Sequence, residues 1–212
     1  RDNSWNLLGN EIVGDPQQST GFSKQSGFDV SLNSAGNHVS ISTPYYDKRD
    51  TDGTLLINNV GQVRIFELST SERQSEVIPN YERIGYITNQ GTKDNSHYMG
   101  EGGVYLSKDG DIAAVSFINE EVEGDGFRGS IVVYKYKIPS VDEWNSNVVG
   151  GVFKVIKGLD VNQVSGKKYW TQLGQTISSI ESVELDVLIC MNNTGNIIAF
   201  SDGKGTVLKI YE

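Results

Sequence analysis

Two acidic segments carry the side chains best suited to metal binding. Their acidic residues are Asp47, Asp50, Asp52, Glu121, Glu123 and Asp125. Carboxylate oxygens are the ligands that Ca²⁺ prefers, so calcium is the candidate cation for each segment, which we expect to be a loop. The first loop also holds Lys48 and Arg49, which compete for its acids. A solvated acidic surface is the alternative for both loops, and we expect no cofactor other than this candidate calcium.

Four aromatic residues in predicted loops are candidates for sugar binding. They are Tyr45, Tyr46, Tyr98 and Trp144. A flat ring offers a rigid apolar face to a pyranose and loses little side-chain freedom on binding. Five other aromatics stand at repeated positions described below, and we expect them to pack in strands or in the core: Trp5, Phe66, Tyr134, Trp170 and Tyr211.

The residues that commonly perform catalysis are scarce. His38 and His97 lack a nearby cysteine or acidic partner at a spacing typical of metal ligation or nucleophile activation, so we expect both to be exposed loop residues. Cys190 lies in an apolar run and is predicted to be a small buried side chain. Paired carboxylates can hydrolyse glycosides, but acids within one loop do not define a separation across a cleft. We therefore predict that the protein is not an enzyme.

The charge balance limits the classes of partner. The 212 residues include 18 basic and 27 acidic side chains, which gives a net charge of −9. A nucleic-acid surface needs clustered lysine and arginine, so we expect no nucleic-acid partner. No apolar stretch approaches the roughly 20 residues of a membrane helix, and we expect no membrane insertion. The chain begins at Arg1 without methionine, which leads us to expect a processed product or a piece of a longer protein.

Three segments share one ungapped spacing around a glycine turn. Each has an apolar residue, three residues, glycine, two residues, an apolar residue, one residue, a second apolar residue and serine. The glycines are Gly36, Gly110 and Gly195. A strand, a polar turn and an alternating strand form a β-hairpin, and glycine supplies the positive φ that such a turn requires. The sequence therefore predicts three equivalent hairpins.

Two further landmarks accompany each hairpin. An aromatic-x-x-aliphatic-Gly motif begins at Trp5, Tyr81 and Trp170. An alternating, β-branched segment begins at Gly61, Gly129 and Gly205. The landmarks divide a single all-β domain, 1–212, into three units of about four antiparallel strands, at about 1–68, 81–138 and 170–212, with an insertion at 139–169.

The combined pattern resembles a tandem repeat of large microbial, algal and viral surface proteins. That repeat is similar to FG-GAP β-propeller blades of the integrin-α type. The first unit carries the resemblance best, at 27–32, 39–44 and 63–66, and it covers nearly the whole chain except 139–169. The resemblance implies a β-propeller-like fold and binding or adhesive work. The three turns lack the full ligand set of that family's calcium loop, so its calcium site does not carry over.

The number of units leaves alternatives open. Propellers typically have about four to eight blades, so three units could be part of a larger propeller that other chains or blades complete. A pseudo-threefold β-trefoil or β-prism, or a β-sandwich, is the alternative fold.

We expect a non-enzymatic structural or binding module of an extracellular, cell-surface or virion-surface protein, in contact with proteins or glycans. A lectin-like carbohydrate-binding protein is the alternative function, and a polysaccharide hydrolase is less favoured.

Overall fold

Antiparallel β-strands build the chain, which confirms the all-β prediction. The structure, a computed structural model, describes residues 4–14, 26–49, 52–73, 76–88, 98–122, 126–140, 142, 166–178, 189–201 and 208–212. The strands are β1 (Val30–Leu32), β2 (His38–Thr43), β3 (Lys48–Arg49), β4 (Leu55–Ile57), β5 (Gln62–Arg73), β6 (Glu76–Thr88), β7 (Val104–Leu106), β8 (Ile112–Val122), β9 (Gly126–Lys137), β10 (Tyr169–Gln172), β11 (Ile177–Ser178), β12 (Ile189–Met191), β13 (Ile198–Ser201) and β14 (Leu208–Tyr211). Within these ranges no sheet closes on itself, and no helix is long and apolar enough to cross a membrane.

Three larger sheets contain the three predicted hairpins. Sheet 1 has the strand order β1-β2-β5-β6, sheet 2 the order β10-β9-β8-β7 with β11 also paired to β9, and sheet 3 the order β12-β13-β14. β3 and β4 form a separate two-stranded sheet. The turns at Gly36, Gly110 and Gly195 have φ between 70° and 76°, which only glycine adopts without strain. The predicted hairpin turns are therefore confirmed.

The aromatic landmark strands pair with the preceding sheet. Tyr81, which opens the predicted second unit, lies in β6 and pairs with Leu68 of sheet 1. Trp170, which opens the predicted third unit, lies in β10 and pairs with Tyr136 of sheet 2. Each of these two sheets is thus completed by the strand that opens the next sequence unit.

Two apolar layers separate the three sheets. The layer between sheets 1 and 2 contains Val63, Ile65, Ile87, Met99, Val104, Leu106, Ala113, Val115, Val132, Tyr134 and Trp170. The layer between sheets 2 and 3 contains Ile112, Ala114, Ile131, Val133, Ile189, Ile198 and Phe200. Neighbouring residues of β9 enter different layers because strand side chains alternate between the two faces. Sheet 2 is therefore covered on both faces. Each fully buried aliphatic side chain in these layers contributes about 1.5–3 kcal/mol to the free energy of folding.

The outer face of sheet 1 carries a smaller apolar cluster. Val39, Ile41 and Phe66 are buried there, and Ile12 and Tyr81 pack against them. Ile12 belongs to the segment 4–14, which has no strand assignment. This segment thus lies over part of the outer face of sheet 1.

The aromatic landmarks differ in burial. Trp170 is 2% exposed and stacks on Tyr136 at 5.2 Å between ring centroids, which agrees with the predicted packing role. Trp5 is fully exposed, so the prediction that it packs in the core is wrong. No described segment forms a layer over it. The insertion 139–169 lies largely outside the described residues, except for 139–140, 142 and 166–169.

Candidate functional site

Two of the four candidate sugar-binding aromatics contact each other. The rings of Tyr45 and Tyr98 meet edge to face with centroids 5.5 Å apart. Tyr45 Oη donates a hydrogen bond to Glu101 Oε1 at 3.3 Å. Burial raises the pKa of the Tyr45 hydroxyl, and the Glu101 carboxylate raises it further. The edge-to-face contact and the hydrogen bond to Glu101 fix Tyr45 within a small polar cluster on the protein itself.

Tyr46 lies apart from that cluster and lines an open groove. The groove has a volume of about 570 Å³ and runs between the segment 4–14 and sheet 1. Other side chains on its wall are Gln62, Arg64, Arg83 and Tyr86. Tyr46 follows the end of β2 in a turn in which its N–H donates to Thr43 O at 3.1 Å. Trp144, the fourth candidate, lies outside the described residues.

Arg64 holds the wall of this groove together. The side chain is buried, and its guanidinium donates to Val13 O at 2.9 Å and to Ser26 Oγ at 2.6 Å. It also lies 5.5 Å from the centre of the Phe66 ring, a cation–π distance. These contacts compensate for burial of the charge and attach the segment 4–14 to sheet 1.

Gln62 presents an unsatisfied acceptor at the groove. The residue is 3% exposed, and its Oε1 accepts no hydrogen bond from the part of the chain that is described. A buried amide oxygen without a donor is unfavourable by about 1–3 kcal/mol. On the neighbouring strand β6, the Arg83 guanidinium lies 5.8 Å from the Tyr86 ring centre. Burial raises the pKa of Tyr86, and Arg83 partly offsets that rise.

The first candidate calcium loop uses its described carboxylates for local structure. Asp47 is buried, accepts a hydrogen bond from Asn59 N–H at 3.1 Å and lies 3.6 Å from Arg49 Nη2. Asp52 Oδ1 accepts from both Thr54 N–H at 2.9 Å and Thr54 Oγ1 at 2.6 Å, as in a turn closed by an aspartate. Asp50 lies outside the described residues.

The second candidate calcium segment is a strand where it is described. Glu121 belongs to β8, so the prediction that it lies in a loop is wrong. Glu123 and Asp125 lie outside the described residues. Among the residues that the structure covers, no three His, Cys, Asp or Glu side chains are grouped to hold a metal. Calcium binding stays a prediction.

His38 and Cys190 both differ from the sequence-based expectation. His38 begins β2, its side chain is only 14% exposed, and its Nε2 lies 3.7 Å from Glu67 Oε1. Its position against Gly110 of the next hairpin buries it. Cys190 is exposed because β12 alternates, with Ile189 directed into the apolar layer and Cys190 to the opposite face. His97 lies outside the described residues.

A second open groove lies where the first strands of the three sheets meet. Its volume is about 520 Å³, and its walls include Phe28, Tyr105, Cys190 and Leu208. Neither groove is predicted by the sequence, since each is formed by residues far apart in the chain. The only local signal was an arginine within the alternating segment 61–66, where Arg64 stands between two core residues.

Comparison with known proteins gives no relative from which a role could be transferred. No protein-family model, no curated protein and no solved structure matches the chain. A functional role for this chain is therefore inferred from its own geometry.

Proposed function

We propose that the chain is a non-enzymatic structural and binding module built from propeller-type repeats. The observation that carries this proposal is a contact between hairpin turns that occurs at both sheet junctions. Ser34 N–H donates to Lys108 O, and Lys108 N–H donates to Asn193 O. The same relation between neighbouring sheets at both junctions is what a repeat array requires.

A propeller-like arrangement is the fold that we propose over the β-trefoil, β-prism and β-sandwich. In its support, sheet 2 is apolar on both faces and lies between two sheets of similar construction. A two-sheet sandwich buries one face of each sheet, whereas stacked blades bury both faces of every inner sheet.

Surface placement, on a cell or a virion, is part of the same proposal. It is supported by the resemblance to surface-protein repeats and by the net charge of −9. Immunogold labelling of intact cells or particles with an antibody to the chain tests it. Labelling confined to the cell interior would contradict surface placement.

Glycan binding at the Tyr46 groove is the more specific form of the proposed binding role. Tyr46 supplies an aromatic residue to the groove wall, and rotation of the Gln62 amide would bring its unsatisfied Oε1 into the groove to accept from a sugar hydroxyl. A groove with an aromatic wall and a few convergent polar groups is typical of a ligand site.

A glycan array tests this proposal with three variants. We expect the wild-type chain to bind a subset of glycans and Tyr46→Ala and Gln62→Leu to lose that binding. Tyr45→Phe is the matched control, because it removes a tyrosine hydroxyl that bonds Glu101 and leaves the groove intact. Wild-type binding that survives Tyr46→Ala would contradict this location, and no binding by any chain would contradict the glycan role.

The non-enzymatic part of the proposal has its own test. His38, the histidine that the structure describes, contacts Asn33, Asn37 and Glu67 and packs at a sheet junction. Incubation with polysaccharides should release no new reducing ends. Release that is absent from a heat-inactivated control would contradict the proposal.

A further inference from the structure

One backbone hydrogen bond joins each hairpin turn to the next. The second residue of each turn forms it: Ser34 N–H donates to Lys108 O at 3.1 Å, and Lys108 N–H donates to Asn193 O at 2.7 Å. The series stops at the Asn193 N–H, for which the described residues hold no acceptor. The Ser34 carbonyl lies at the opposite end of the series. It is equivalent to the Lys108 and Asn193 carbonyls, which accept the two bonds.

The turn glycines pack on the preceding sheet in the same repeated way. A Cβ on Gly110 would lie 2.6 Å from His38 Cγ, and a Cβ on Gly195 would lie 2.8 Å from Ile112 Cδ1. His38 and Ile112 are equivalent, since each follows its own turn glycine by two residues. A Cβ on Gly36 would meet no atom within 4 Å, and Ile197, the third residue of this type, is exposed.

The aromatic landmarks form a third repeated contact. In each case the aromatic residue of one landmark covers the glycine of the landmark before it, and the two pairs are Gly9 with Tyr81 and Gly85 with Trp170. One aromatic residue and one glycine of these landmarks have no such contact, and they belong to the first and the last landmark of the chain. Trp5 is fully exposed, and a Cβ on Gly174 would meet no atom within 4 Å.

The apolar faces of the sheets show the same repetition, with buried contacts between neighbouring sheets and an exposed face on sheet 3. Each sheet presents two aliphatic residues of one strand to the next sheet, and the three equivalent pairs are Val63 and Ile65, Ile131 and Val133, and Leu208 and Ile210. The first two pairs are buried. Leu208 and Ile210 are 69% and 67% exposed, because no described sheet follows sheet 3.

The complementary surface is exposed on sheet 1. Val104 and Leu106 of β7 are buried against sheet 1 in the first apolar layer. Val30 and Leu32 of β1 occupy the equivalent positions and are 53% and 59% exposed. Among the described residues, this face of sheet 1 is covered by no further sheet and only in part by the segment 4–14.

Among the described residues, sheet 3 also lacks the outer edge strand that sheets 1 and 2 have. β6 and β10 complete sheets 1 and 2 beyond their long hairpins, whereas β14 is the last strand of sheet 3 in the described part of the chain. The segment 4–14 contains the equivalent aromatic landmark and pairs with none of the described strands. An unpaired edge strand readily accepts a further strand.

We propose that a second copy of this chain packs head to tail on the first, with sheet 1 of one copy against sheet 3 of the other. In this contact Val30 and Leu32 cover Leu208 and Ile210, and the Asn193 N–H donates to the Ser34 carbonyl of the second copy. The segment 4–14 of the second copy supplies the missing edge strand of sheet 3. The new junction repeats the contacts already made within the chain.

Two copies are the number that closes a ring. A head-to-tail contact forms either a closed ring or an open fibre. Propellers close with about four to eight blades, and two copies of three sheets give six. This count rests on the proposed propeller-like arrangement, whereas the head-to-tail contact itself does not.

Molar mass in solution is the first test. Sedimentation velocity of the 212-residue chain from about 1 to 100 µM spans the range of moderate protein affinities. We expect the mass to rise to twice the monomer value of 23.3 kDa. A mass that remains at 23.3 kDa throughout would overturn the proposal. Larger open assemblies would support the contact and overturn the closed ring. The Tyr46 groove lies on the same outer face of sheet 1, so a second copy and a glycan would compete for that face. Glycan binding is therefore measured on the monomeric Leu208→Lys, Ile210→Lys variant, in which it can fail independently of the contact between copies.

Charge substitutions test which faces meet. Leu208→Lys with Ile210→Lys, and Val30→Glu with Leu32→Glu, should each give a monomer, because each places charges in an apolar junction. Mixing the two double variants should restore the dimer, since one of its junctions is then wild type and the other pairs lysines with glutamates. Leu55→Lys with Ile138→Lys is the matched control at two exposed apolar residues away from both faces, and it should still dimerise.

Two results would contradict this arrangement. One is a dimer that persists in the Leu208→Lys, Ile210→Lys variant, and the other is a mixture that stays monomeric.

A crosslinking measurement covers the case in which a charged variant does not fold. In a Cys190→Ser background, Ser34→Cys with Asn193→Cys should give a dimer with a short thiol crosslinker. Ser34→Cys with Lys108→Cys, which lies across an internal junction, should crosslink within one chain. Failure of the first pair while the second pair reacts would overturn the head-to-tail contact.

Discussion

The turn glycines provide the sharpest test of sheet packing. Gly36 and Gly110 have the same position in their hairpins, with φ of 70° and 76°, and they differ in what lies beside them. A Cβ on Gly36 would meet open space, whereas a Cβ on Gly110 would lie 2.6 Å from His38 Cγ and 2.9 Å from His38 Cβ. Rotation of the imidazole cannot relieve the contact with His38 Cβ.

The expected magnitude follows from this comparison. Both Gly36→Ala and Gly110→Ala incur a left-handed backbone cost of about 1–2 kcal/mol, which cancels in their difference. Gly110→Ala also overpacks a junction, which typically costs about 1–3 kcal/mol. We expect the free energy of unfolding of Gly110→Ala to be lower than that of Gly36→Ala by about 1–3 kcal/mol, the cost of overpacking.

Urea denaturation in the Leu208→Lys, Ile210→Lys background measures this difference in a monomer. The background matters because Gly36 belongs to the proposed junction between copies. Equal m-values for the two glycine variants would show that the unfolding transitions are comparable. If the free energies of the two variants agree within about 0.5 kcal/mol, the packing of the Gly110 hairpin turn on sheet 1 is wrong.

Three further predictions test other parts of the structure. Trp170→Ala should lower the free energy of unfolding by about 3–5 kcal/mol, whereas Trp5→Ala should change that of the monomer by less than about 0.5 kcal/mol. Urea denaturation measures both changes. Equal effects would contradict the difference in burial between the two tryptophans. Burial raises the pKa of the Tyr134 hydroxyl above its ordinary 10.0. As the pH rises, the unfolded chain therefore loses this proton before the folded chain does, and the stability present below pH 10 declines above it. Melting temperatures between pH 9 and 11 measure this decline. Tyr134→Phe should make it less steep. Arg64→Met should lower the free energy of unfolding by about 1.5–3 kcal/mol because two acceptors lose a charged donor, and Arg83→Met, by contrast, should have a small effect.

The sequence predicts the elements well because turn and strand chemistry is local. The glycine at 36, 110 and 195 and the alternation after each turn identify the hairpins without reference to the rest of the chain. The predicted packing of Trp170 in a strand is also confirmed.

The sequence does not predict which surface covers a given face. Val63, Ile131 and Leu208 follow one pattern, yet Val63 and Ile131 are buried and Leu208 is exposed. The difference depends on whether another sheet follows, which is a tertiary property. The exposure of Trp5 depends on the same tertiary property.

The candidate site shows the same division between local and tertiary information. Residue type identified Tyr45, Tyr46 and Tyr98 as aromatic loop residues, but Tyr45 meets Tyr98 through a contact across more than fifty residues of chain. Gln62 lines the groove with Tyr46 although its sequence neighbours are core residues. Such a site is assembled by the pairing of β5 with β2 and by the segment 4–14, and neither is encoded in a local motif.

An experimental structure of the assembled chain at high concentration tests the central claim most directly. We expect three successive sheets in each copy, with Leu208 and Ile210 of one copy packed against Val30 and Leu32 of the other. The Asn193 N–H should donate to the Ser34 carbonyl across that junction, as Ser34 and Lys108 donate within each chain. A dimer joined through any other face, or sheets that do not stack in the order 1, 2, 3, would contradict the account.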